Sequence, residues 1–321
     1  MGLWNKAAGL GGAIGKKGGR RAAIVAGAIA AVAGSVLAAG AAAANARLRD
    51  MHRVRTAGGT ALVKTVRTPA DGLVRVLQQG GVYQSATYLD ERRFEPVFAY
   101  YRAFDAAFEA EPEFSRVAGH GIRTVLMLGG GGFSYPKHLL TSKSDIQMDT
   151  VEIDPAVVDL ARRWFFLDEL ERLLASDDTS NGNSLRVVEA EGRAFLQAPS
   201  APDAPSCYDV IVNDAFSGAD PVRSLTTLEA ARAVKARLGM GGMYLVNVVS
   251  HAAGADLTFL RDEVATLLQA FAHVHVVPCS DDVFGGEDNY LLIATDGSYE
   301  FAEAVPFDAD FLGEVLVDGG K

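Results

Sequence analysis

From residue 124 to residue 294 the chain alternates short β-branched and aliphatic runs with amphipathic stretches, and this alternation constrains the fold more than any other feature. Residues 124–128, 148–153, 185–188, 209–213 and 242–247 read as strands. Helices are predicted between them, around 136–140, from Pro155 onward, near Ala194 and over 228–238. The runs 274–278 and 289–294 complete the set. Strand–helix–strand units of one sheet must cross over between strands. A long series of them predicts an α/β fold with a doubly wound, mostly parallel, Rossmann-like sheet.

Upstream, residues 61–67, 73–77 and 82–88 are β-rich and separated by turn residues, which predicts a small antiparallel subdomain. Phe94, Val97, Phe98, Tyr101, Phe104 and Phe108 then follow helical spacing, with Pro96 in the first turn, and read as core packing. The domain division expected is 1–55 leader, 56–115 β-rich subdomain plus helix, 116–300 nucleoside-binding domain and 301–321 tail.

The leader is distinctive. Lys16, Lys17, Arg20 and Arg21 precede 23 uncharged residues from Ala22 to Ala44, enough as a helix to span roughly 34 Å. The run is Ala/Gly-rich, and Ala44-Asn45-Ala46 also suits signal cleavage. The expectation is one N-terminal membrane helix with the body in the cytoplasm; export after cleavage and a wholly cytoplasmic chain are the alternatives.

Composition excludes several classes. With 49% hydrophobic and 22% charged residues the chain is neither disordered nor a polytopic membrane protein. The net charge is −10, and setting aside the five positive charges of residues 1–21 leaves −15 on the remaining 300, which argues against nucleic acid as a partner. Cys207 and Cys279 are too few for a disulfide scaffold and read as inert thiols. His273 and His275 share a strand face and read as structural, so no metal is expected.

In such sheets chemistry sits at the carboxyl ends of the strands. Gly129, Gly130, Gly131 and Gly132 end the first strand and let the backbone approach a ligand, although Ser134 holds the third position of the dinucleotide fingerprint. Glu152, 21 residues past Gly131, ends the second strand, where a carboxylate can accept from both hydroxyls of a ribose. Glu191-Gly192 follows the third strand, where an acid can accept from an adenine amine. Asp214 stands at the end of the fourth, before a glycine-containing loop, facing substrate.

These residues resemble the spermidine/spermine synthase family, aminopropyltransferases on a methyltransferase-like Rossmann fold. The resemblance runs from about Val74 to Ala294 through Gly81-Val-Tyr-Gln84-Ser85, the glycine turn, Val151-Glu152-Ile153-Asp154, Glu191-Gly192 and Tyr208-Asp-Val-Ile-Val-Asn-Asp214. Asp214-Ala-Phe-Ser-Gly218, Pro221-Val222 and Leu225-Thr226 are similar to a membrane-associated branch. The resemblance implies a co-substrate, S-adenosylmethionine or its decarboxylated form, held by Gln84, Gly129, Gly130, Gly131, Glu152, Ile153, Glu191 and Gly192. It implies Asp214 as the catalytic aspartate, Tyr88, Asp90 and Asp220 at the amine substrate, and a homodimer. Gly132 stands where the family carries an aspartate for the aminopropyl ammonium group, and Ser217 where a second acid is usual. Methyl transfer to another acceptor, and non-catalytic binding of a nucleoside or polyamine, are the competing readings. A dinucleotide oxidoreductase fits less well, lacking the third glycine and a catalytic His or Tyr constellation.

Overall fold

A computed structural model of the chain describes residues 51–68, 72–176, 179–250, 256–280 and 288–320. The leader helix expected within 1–55 lies outside the described residues up to residue 50, and among the described residues no helix is long and apolar enough to cross a membrane.

The small subdomain is a four-stranded antiparallel sheet in the order β1 (Met51–Thr56), β2 (Gly59–Thr68), β3 (Gly72–Gln79), β4 (Val82–Tyr88). β1 takes in residues 51–55, which the sequence reading assigned to the leader. Its exposed Arg53 and Arg55 alternate with half-buried Val54, a two-residue period hidden by the surrounding positive charge.

The long aromatic helix is a correction. Pro96 forms an isolated bridge with Thr87, and Phe98 is extended with φ −78° and ψ 135°. The helix therefore starts only at α1 (Ala99–Ala103) and breaks before α2 (Ala106–Glu109) and α3 (Glu111–Ala118). Phe98, Tyr101 and Phe104 are nonetheless buried, as the stripe predicted.

The larger sheet has seven strands in the order β12-β13-β11-β8-β5-β6-β7. These are β5 (Thr124–Leu128), β6 (Gln147–Glu152), β7 (Ser184–Glu189), β8 (Tyr208–Asn213), β11 (Leu238–Ser250), β12 (His273–Ser280) and β13 (Asp288–Thr295). Six of the seven point the same way, and β13 alone among them is antiparallel to both of its neighbours. The mostly parallel Rossmann-like sheet and the antiparallel N-terminal sheet are thus present. β9 (Phe216–Ser217) and β10 (Asp220–Pro221) form a separate antiparallel pair in the loop after β8.

Helices cover both faces: α4 (Ser134–Ser142), α5 (Pro155–Trp164), α6 (Leu167–Leu174), α7 (Gly192–Gln197), α8 (Leu228–Arg237) and α9 (Thr258–Leu267). Successive strands build outward from β5 through β6 to β7, and the chain then returns to β8 on the other side of β5. That reversal leaves a crevice above the carboxyl ends of β5 and β8. Apolar clusters on either face fix the sheet, one reaching from β5 into the small subdomain and the other lying under α8 and α9.

Candidate active site

A cavity of about 490 Å³ opens over this reversal, within the range of sites for small ligands. Gln84, Gly129, Gly131, Glu152, Ile153, Glu191, Gly192 and Asp214 all line it. Gly130 lies behind the surface and contributes its amide instead.

The glycine turn is shaped by its neighbours. Gly129 has φ +95°, and a Cβ there would fall 2.8 Å from Asp214 C and 3.0 Å from Ala215 Cα, so the turn and the loop after β8 touch backbone to backbone. Glu152 locks the turn from the other side. Its Oε2 accepts from Gly130 N at 2.9 Å and Gly131 N at 3.2 Å, and its Oε1 accepts from Asp154 N at 3.0 Å. A carboxylate has about four lone-pair sites, so Glu152 keeps capacity for one further donor from the cavity. Ile153 follows with 61% of its surface exposed, an apolar side chain in the cavity wall.

Glu191 ends the third parallel strand region and caps α7. Its Oε2 accepts from Ala194 N at 2.6 Å, and its Oε1 from Ser224 Oγ at 3.0 Å. The helix start thus sets the direction of this carboxylate. Gln84 donates from Nε2 to Gly218 O at 2.8 Å, which ties β4 to the loop that follows Asp214.

Asp214 is strongly perturbed by its place in the cavity. Burial pushes its carboxyl up to about 7, against hydrogen bonds from Asn247, Tyr101 and Tyr100 that pull it back. Asn247 Nδ2 donates to Oδ1 at 2.8 Å, and the Tyr100 hydroxyl approaches Oδ2 at 3.5 Å. Burial and the charge of Asp214 both raise the two tyrosine hydroxyls, which stay protonated as donors. A carboxyl that titrates near neutrality is suited to accept a proton there.

Tyr100, Tyr101, Asn247 and Asn289 also line the cavity and were not singled out in the sequence. Tyr101 belongs to a stripe that reads as packing and Tyr100 lies beside that stripe; the asparagines lie on β11 and β13, whose pairing is non-local.

Three expected substrate residues lie outside the cavity lining. Tyr88 is buried under the Arg92 guanidinium, 4.0 Å from its ring, and does not reach the cavity. Asp90 pairs with Arg92 at 2.7 Å on the surface, and the hydrogen bond from Arg92 lowers its carboxyl below the usual value. Asp220 is exposed on β10, outside the lining between Ala219 and Val222.

Gly132 has a steric cause. A Cβ at that position would lie 2.5 Å from Ser85 Oγ, 2.9 Å from Ser85 Cβ and 3.0 Å from Phe165 Cδ1. The place of the family aspartate is filled by other side chains.

Cys207 and Cys279 are both free, the first exposed and the second buried. His275 packs edge-on to Phe301 at 4.9 Å, and no group of three metal-ligating side chains occurs among the described residues.

No family model matches the chain. It is similar to the polyamine aminopropyltransferase of Vibrio vulnificus (strain CMCP6), 27% identical over 173 residues, covering 54% of this chain and 50% of that protein. It is also similar to the eEF1A lysine and N-terminal methyltransferase of Mus musculus, 28% identical over 160 residues, covering 48% of this chain and 20% of that protein. The chain therefore spans half the length of the first and a fifth of the second. Among solved structures it resembles a probable spermidine synthase from Corynebacterium glutamicum ATCC 13032, with TM-score 0.57 and 20% identity, over 75% of this chain and 78% of that one. The likeness is to a polyamine aminopropyltransferase in sequence and to a probable spermidine synthase in fold.

Proposed function

We propose that the chain is a spermidine synthase-like transferase that moves an aminopropyl group from decarboxylated S-adenosylmethionine to an amine. One observation carries the reading. Glu152, Glu191 and Asp214 are the charged side chains among the described lining residues, and all three are acidic. A cavity so lined suits a cationic donor and a cationic amine, whereas a donor bearing a free carboxylate would find no cation to pair with among the described lining residues.

In this reading Glu152 accepts from one ribose hydroxyl, the single further donor it has room for, and Glu191 from the adenine amine. Ile153 offers an apolar face to the base, and the open backbone at Gly131, where nothing lies within 3.9 Å of an added Cβ, lets the thioether part approach. The donor supplies an electrophilic carbon on a sulfonium, which departs as a neutral thioether. An alkyl amine has a pKa of about 10 and arrives protonated. Asp214 attracts that cation, orients it and takes its proton as the nitrogen bonds to carbon, with its carboxylate steadied by Asn247, Tyr100 and Tyr101. Much of the rate then comes from holding nitrogen, carbon and sulfur in line.

The similarity to a polyamine aminopropyltransferase supports the reading. Methyl transfer from S-adenosylmethionine is the second reading, favoured by Gly132, which leaves no carboxylate at the donor ammonium position. Mass spectrometry of the chain incubated with each donor and putrescine separates them. A 57-dalton aminopropyl increment is the outcome proposed (about the mass of C3H7N); a methyl increment, or no transfer with either donor, defeats it. The domain division, a membrane anchor within 1–55, a cytoplasmic body and a homodimer remain proposals that rest on the sequence.

A further inference from the structure

Asp214 is held at one oxygen by a chain of two amides. Asn247 Nδ2 donates to Asp214 Oδ1 at 2.8 Å, and Asn289 Nδ2 donates to Asn247 Oδ1 at 2.9 Å. The three residues come from neighbouring strands of the sheet: Asp214 follows β8, Asn247 lies on β11 and Asn289 on β13.

Chemistry sets the direction of this chain. An ionised carboxylate only accepts hydrogen bonds, so Asn247 must turn its NH2 toward Asp214 and its carbonyl away. Asn247 is buried, and its carbonyl then needs a donor. Asn289 is that donor. Without it, rotation of the Asn247 amide about its last torsion would set a carbonyl oxygen against the carboxylate.

We propose that Asn289 is a positioning residue, which by donating to Asn247 locks the amide orientation that holds Asp214 Oδ1 and leaves Oδ2 to the incoming amine. The inference rests on the role given to Asp214 above. Among the described residues the titratable groups facing Asp214 are Tyr100 and Tyr101 from α1, while Glu152 and Glu191 are the other carboxylates of the cavity lining. Each tyrosine has a single hydroxyl hydrogen, so neither can replace the two-donor amide of Asn247.

The test follows Asp214 itself and needs no substrate. Carbon-13 NMR of the full chain with labelled aspartate gives its titration, assigned by difference against Asp214→Asn. Three variants separate polarity from packing: Asn289→Gln keeps a donor on a longer arm, Asn289→Ala removes it, and Asn289→Asp keeps the shape but only accepts. The Gln variant should titrate near the wild type, and the Ala variant higher by on the order of half a pH unit. The Asp variant, which loses the donor and adds a second carboxylate, should move furthest. With decarboxylated donor and putrescine, the acidic limb of kcat/KM should shift in the same order while methylthioadenosine affinity is unchanged. Where the Asp variant does not fold, Ala against Gln carries the comparison. Identical titrations overturn the proposal, as do Gln and Ala variants that shift together, the result a packing role requires. Ordered titrations without turnover on any donor uphold the relay and remove the aminopropyl reading instead.

Discussion

Placing an aspartate at position 132 tests whether the missing carboxylate is built into the fold. The new Cβ would meet Ser85 Oγ at 2.5 Å, Ser85 Cβ at 2.9 Å and Phe165 Cδ1 at 3.0 Å. Ser85 and Phe165 are wholly buried, and Ser85 Oγ is bonded to Ser134 Oγ at 2.9 Å, so neither can swing aside freely. Overpacking of this kind costs about 1–3 kcal/mol. Seating an imperfectly paired polar group against Phe165 adds about 1–3 kcal/mol. Gly132→Asp should therefore lose on the order of 4 kcal/mol, a fall in Tm of roughly 10 °C for a body of this size. Ser85→Gly removes two of the three short contacts, so the double variant should recover at least about 1 kcal/mol relative to additivity. Calorimetric melting of the four proteins gives the cycle. A Gly132→Asp protein as stable as wild type, or a cycle with no coupling, would refute the steric reasoning.

Other outcomes follow from the same geometry. Burial pushes the Asp214 carboxyl from its ordinary 3.8 up to about 7, so the wild type loses stability as pH rises from about 4 to 7; Asp214→Asn should gain on it across that window, by up to about 4 kcal/mol, in denaturant titrations at pH 4 and pH 8. Lys137 is buried, donates to Thr87 Oγ1, Arg93 O and Phe165 O, and burial lowers its amine to about 7. Its cost is present below pH 7 and fades toward 10.5, so the stability of Lys137→Met relative to wild type should decline between those values, measured by the same titrations. Gly129→Ala must place a Cβ against the Asp214 backbone at φ +95° and should cost about 2–5 kcal/mol, whereas Gly131→Ala meets open space at φ +50° and should cost about 1 kcal/mol, as melting curves would show.

The site was partly legible because some of its residues are placed by local rules. Glu152 and Glu191 end or follow strands that hydrophobic runs identify, and in a parallel sheet such positions converge on one edge. Gly132 was legible as a departure, but its cause was not: Ser85 and Phe165 reach it from 47 residues before and 33 after in the chain. Asn247 and Asn289 were invisible for a related reason. Their hydrogen bond depends on the register of β11 against β13, which tertiary packing fixes. Tyr101 was hidden by the aromatic stripe, since a tyrosine contributes the same ring to a core whether or not its hydroxyl reaches a carboxylate, and Tyr100 lies beside that spacing with no local signal of its own. Asp90 misled in the opposite way, because Arg92 two residues on captures it at the surface.

The claim beneath all of this is that the acidic edge of the sheet holds an adenosine thioether. Titration calorimetry of the full chain with methylthioadenosine addresses it without assuming a reaction. Saturable binding that weakens in Glu191→Ala is the result predicted; no heat at millimolar ligand, with the chain folded, would contradict it.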